Sequence, residues 1–132
     1  MHEKLEKSVM DMLLHGEHEL FKTLKEQFES VESKKITNTD VGFFIDYKVS
    51  SHRLDEKKYS NKFHIGDVDG TINGMGKNVG FVLFIEKGYI VTLEAYTYGA
   101  DEWPEDELIS LSYESEGERE YEKIIKECLK TY

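Results

Sequence analysis

Residues 80–104 read GFVLFIEKGYIVTLEAYTYGADEWP, and their pattern decides the fold class. Two apolar, β-prone runs flank the turn Glu86-Lys87-Gly88. In the first run Phe81, Leu83 and Ile85 share one face, and Val82 and Phe84 share the other. Apolar residues on both faces predict a central strand covered on both sides. In the second run Tyr89, Val91, Leu93 and Ala95 point one way. Ile90, Thr92, Glu94, Tyr96 and Tyr98 point the other. The stretch then ends in tyrosines, acids and the chain's only tryptophan and proline.

Outward from this hairpin, residues 41–50 alternate, with Phe43, Ile45, Tyr47 and Val49 on one face. Residues 32–39 read as a polar edge strand, and residues 63–72 and 108–113 as further strands. Residues 51–61 are charged and read as loop. Near the start, Leu5, Val9, Met12, Leu13, Leu20, Leu24 and Phe28 recur at helical spacing, with Gly16 able to divide them into two helices. Ser115 with Glu118 three residues later reads as a capping box. It would start a last helix that turns Tyr121, Ile124, Ile125, Cys128 and Leu129 inward. The links are too short for parallel crossovers. The expected fold is α+β: one domain over residues 1–132, with an antiparallel sheet of five or six strands. An N-terminal helix, or two, and a C-terminal helix pack on it.

The 132 residues carry a net charge of −10, unevenly spread. Residues 101–132 hold eleven acids against four bases. Such a surface disfavours nucleic acid and anionic membrane, and it attracts a basic partner. The longest apolar run, Phe81 to Ile85, is too short to span a bilayer, and the first ten residues lack an apolar signal core. A cytoplasmic location is expected, in keeping with the single cysteine, Cys128.

Half of the ten glycines fall in residues 66–80, GDVDGTINGMGKNVG. Asp67-Val68-Asp69-Gly70-Thr71 matches the nucleophile motif of haloacid-dehalogenase phosphatases. That chemistry needs the end of a buried parallel strand in a doubly wound fold, and the flanking sequence supplies neither. An EF-hand reading fails at Gly80, where a bidentate glutamate is required. A P-loop reading of Gly74-Met75-Gly76-Lys77-Asn78 lacks its first glycine and the magnesium-binding hydroxyl. His15 and His18 are three apart with no third ligand at motif spacing, and Cys128 lies on an apolar helix face. No cofactor, metal site or catalytic constellation is expected.

Residues 96–107, YTYGADEWPEDE, differ in kind. Tyrosine and tryptophan bury large area at small entropic cost, and an acidic rim suits a basic partner. Either Trp103 anchors such a partner, or Trp103-Pro104 plugs the end of the sheet. Glu94 sits mid-strand, where a carboxylate needs a company of donors or a role in a cleft. The candidate partner-binding residues are Glu94, Tyr96, Tyr98, Asp101, Glu102, Trp103 and Glu105.

Gly42-Phe43-Phe44, Gly66-Asp67-Val68 and the hairpin through Glu105 resemble a group of small bacterial proteins. These share a GFVLFIxxGxIxxLExYTYGxxxWPE-type pattern. The resemblance spans residues 41–105 and brings no catalytic residue with it. Small acidic bacterial α+β proteins include immunity partners of secreted toxins, and the analogy is one of class and size. The expected function is a non-catalytic protein-binding module of the immunity or antitoxin type, which occludes a basic partner such as a toxin. The alternative is a small-ligand-binding or hydrolytic domain with a cleft near Glu94 and Asp67. A homo-oligomer is a third reading.

Overall fold

The computed structural model describes residues 1–72 and 78–131. Two helices, α1 (Glu3–Leu13) and α2 (Glu19–Glu29), precede six strands. The strands are β1 (Ser33–Thr39), β2 (Gly42–Lys48), β3 (Lys62–Ile72), β4 (Val79–Glu86), β5 (Tyr89–Thr97) and β6 (Ile109–Tyr113). A last helix, α3 (Tyr121–Cys128), follows. All pairings are antiparallel, in the order β1-β2-β5-β4-β3-β6. The fold is thus the expected α+β arrangement, with two N-terminal helices separated around Gly16.

The β4–β5 hairpin closes through a two-residue loop, since Glu86 pairs with Tyr89. Lys87 (φ 52°) and Gly88 (φ 85°) both adopt left-handed backbone, the requirement of a type I′ turn. At Gly88 a side chain would also meet Arg53, 2.7 Å from its Cγ.

Burial separates the two sheet faces. Phe43, Ile45, Phe81, Leu83, Ile85, Leu93 and Ala95 are buried against the helices. Leu20, Phe21 and Leu24 of α2 are fully enclosed, each contributing about 1.5–3 kcal/mol. The opposite face is open, with Phe44, Val82 and Phe84 half-buried. β4 is central in the sheet, but the expectation of cover on both sides is corrected: only one face is covered.

Two further expectations are corrected. Ile90 does not share a face with Glu94. The register slips by one residue, so that Phe84 faces Thr92 while Ile85 faces Ile90. The extra residue reverses the alternation and buries Ile90 beside Leu93. At this bulge the fully buried Gln27 of α2 replaces sheet partners. It accepts from the Ile90 amide at 2.9 Å and donates to the carbonyls of Gly88 and His52, each at 2.8 Å. The last helix does not begin at Ser115 either. Ser115 donates its hydroxyl to the Glu118 carbonyl, Gly117 takes φ 103°, and α3 starts at Tyr121 with no side-chain cap.

Between Gly117 and α3 lies Arg119, the residue that joins the layers. Its guanidinium pairs in a two-pronged fashion with Asp67 of β3, at 2.8 and 3.0 Å. It also donates to the carbonyls of Leu13 (2.8 Å), the last residue of α1, and His15 (2.7 Å), just beyond it. Phe21, Tyr113 and Tyr121 surround it at 4.9–5.5 Å. Lysine cannot reproduce this planar, multiply donating geometry. Arg119→Lys is expected to destabilise the fold by about 2–4 kcal/mol and Arg119→Ala by about 3–5 kcal/mol, read by urea denaturation. Equal stability of Arg119→Lys and the parent would contradict this account.

Candidate functional site

The open face of the sheet is where the unexplained polar chemistry collects. Its centre is Glu94 on β5, flanked in register by Phe44 of β2 and Val82 of β4. Residues directly opposite in neighbouring strands have Cβ atoms about 4.5–5.5 Å apart, so the carboxylate emerges between two apolar side chains. Glu94 is half-buried, and among the described residues it forms no ion pair or hydrogen bond. Asp46 accepts from Thr92 at 2.8 Å, and Lys62 pairs with Glu86 at 3.2 Å. These residues border a shallow concavity of about 720 Å³ that includes Phe44, His64, Phe84 and Glu94.

Tyr96 of β5 and Tyr98, which follows the strand, lean together at 5.6 Å between ring centroids. Both hydroxyls lie over Gly80, where an added Cβ would approach them to 2.8 Å. The absence of a side chain at Gly80 therefore lets the two phenols cover the sheet. Tyr98 donates to Asp69, a buried carboxylate of β3. Burial, and then the Asp69 carboxylate, raise the Tyr98 phenol above its ordinary range. Tyr96 is raised by burial and next by the charge of Glu94.

A second concavity of about 430 Å³ lies between β3 and α3. Tyr96, Glu114, Glu120 and Glu127 line it together with Asp67. Asp67 is held by Arg119 rather than turned out to a ligand. Glu94 and Asp67 thus border different concavities and do not form one cleft.

The loop after β5 divides the remaining candidates. Trp103 turns toward the covered face, edge-on to Phe43 at 5.4 Å and Phe81 at 6.3 Å. Its backbone amide donates to the Asp40 carbonyl, and its indole donates to Glu107 at 2.8 Å. The same Glu107 oxygen receives His2, 2.6 Å away, whose ring stacks on Phe43 at 3.9 Å. Trp103 closes the end of the core, on the other side of the sheet from Glu94. Asp101, Glu102 and Glu105 are exposed on that loop. Glu94, Tyr96 and Tyr98 come together, and Trp103 does not join them.

Other motif residues serve the fold. Asp69 lies in the antiparallel β3, not at the end of a parallel strand. Gly74 to Lys77 of the P-loop-like string lie outside the described residues. The His18 ring accepts from the Leu20 amide and caps α2, and His15 contacts the Tyr121 hydroxyl at 2.6 Å. Among the described residues no three His, Cys, Asp or Glu side chains converge as a metal site. No helix among them is long and apolar enough to cross a membrane.

Val82 and Phe84 were assigned to a covered surface by sequence and Phe44 to neither face, so their part in the open face was missed. The signal lay in the strict alternation with polar His64, Thr92 and Glu94 on neighbouring strands. No protein-family model, curated protein or solved structure matches this chain.

Burial also raises the phenols of Tyr47, Tyr59 and Tyr113, and it pushes the Cys128 thiol up to about 12. Folding therefore favours the protonated form of these groups. Their contribution is present below the ordinary values, near 9 for the thiol and 10 for the phenols, and is lost as pH rises through the raised ones. Thermal denaturation across alkaline pH is expected to show a falling midpoint above about pH 9. Tyrosinate absorbance of Tyr47, Tyr59, Tyr96, Tyr98 and Tyr113 is expected to appear with unfolding rather than before it.

Proposed function

We propose that this chain is a non-catalytic protein-binding module that receives a basic partner on the open face of its sheet, in the manner of an immunity or antitoxin-type protein. The observation that carries the reading is Glu94: a half-buried carboxylate between Phe44 and Val82, with no ion-pairing partner among the described residues. A carboxylate so placed loses hydration without gaining a cation. An arginine or lysine from a partner would supply the missing charge, and the aromatic surroundings would take its aliphatic stem. Tyr96 and Tyr98 extend the contact area, while the acids of residues 101–132 steer a basic surface toward it.

Occlusion needs no reacting group of its own. Asp67, the other carboxylate of the hydrolytic alternative, is neutralised by Arg119 and borders a different concavity. That arrangement favours binding over hydrolysis.

The test is affinity capture of basic proteins from the native lysate, followed by titration of the purified partner. Glu94→Gln and Tyr96→Ala are each expected to weaken binding by about tenfold or more, and added salt to weaken it further. Trp103→Ala, compared at equal folded fraction, is expected to retain the parent affinity. Retention of no basic protein, or undiminished binding by Glu94→Gln, would overturn the reading.

A further inference from the structure

The two edges of the sheet are unlike. β6 has five residues and is mostly half-buried, whereas all seven residues of β1 are exposed. β1 pairs with β2 on one side, and no strand among the described residues pairs with its other side. Proteins blunt such edges with proline, bulges or outward charge. β1 has no proline, and its register against β2 runs unbroken from Ser33 to Thr39. Its two lysines have acidic neighbours within their own chain. Lys34 binds the buried Glu6 at 2.8 Å, and Lys35 stands opposite Asp46. At the middle of the strand is Ile36, an exposed branched side chain.

We infer that β1 is a self-association edge, and that its occupant is β1 of a second copy of this chain. Side chains directly opposite in an antiparallel pair lie on the same face. A dyad normal to the sheet keeps the helices of both copies on one side, and the two-residue side-chain period then requires it to pass through a residue. Through Lys34 or Lys35 it would set lysine against its own copy, which is unfavourable. Through Ile36 it pairs all seven residues. Lys35 then faces Thr37, Lys34 faces Asn38, Ser33 faces Thr39, and the two Ile36 side chains meet on the axis. No like charges are opposed, two exposed apolar groups are covered, and two six-stranded sheets become one. The new strand pair runs along the Thr37 border of the concavity that holds Glu94 and leaves Glu94 itself uncovered.

Sedimentation equilibrium over a dilution series provides the test. The wild-type protein is expected to shift between 15.4 kDa and twice that mass with concentration. Ile36→Lys and Ile36→Glu each place like charges on the axis and are expected to weaken the dimer by about tenfold or more. An equimolar mixture of the two variants is expected to associate more tightly than either alone, because the position pairs with itself. Circular dichroism checks that both variants are folded. In the wild type, hydrogen exchange of the β1 amides is expected to slow with rising concentration while β6 stays unchanged. A monomer at every concentration, a mixture no tighter than its components, or slowing at β6 rather than β1 would overturn the inference.

Discussion

The fold depends on one enclosed charge. Arg119 is taken out of water, its side chain 1% exposed, and an arginine in that position is tolerable only when each donor and its charge are answered. Asp67 supplies the countercharge, the end of α1 supplies two carbonyls, and three aromatic rings supply the walls. Each wall comes from a different element: Phe21 from α2, Tyr113 from β6 and Tyr121 from α3. A single guanidinium thereby sets where all three helices stand relative to β3.

Gathering the helices around Arg119 places their apolar faces on one side of the sheet. The other side keeps residues with apolar character that no helix seals, with only α3 near Val82 and Tyr96 across a concavity. Phe44, Val82 and Phe84 are consequently half-exposed, and Glu94 stands among them. The asymmetry of cover is what turns a strand residue into a surface group, and it links the packing of the core to the chemistry of the open face. Tyr96 and Tyr98 belong to the same consequence, lying over Gly80 where no side chain competes for space.

Strand number, antiparallel pairing and the division around Gly16 were legible, because they rest on local periodicity and turn chemistry. The Lys87-Gly88 turn could be placed for the same reason. The phase of β5 could not. Its one-residue bulge is stabilised by Gln27, sixty-three residues from Ile90, and alternation carries no mark of a distant side chain. Trp103 was open to two readings because composition does not tell which side of a sheet a loop folds over. Arg119 gave no signal at all: it stands in an acidic stretch, GEREYE, that reads as solvated surface. Of the candidate site, Glu94 was visible as a polar intrusion, while its neighbours on β2 and β4 depended on strand order.

The hydrogen bonds that Arg119 makes to Leu13 and His15 join positions 106 and 104 residues apart. Tyr113 reaches Met12 across a comparable interval of 101. During synthesis α1 therefore precedes the partner of its last carbonyls by more than a hundred residues. Closing so long a loop is slow, and it comes after the local hairpins have had time to form. The sheet can act as a template on which the earlier-made α1 is locked after it. Vectorial growth of the polypeptide and the order of structural completion run in opposite directions.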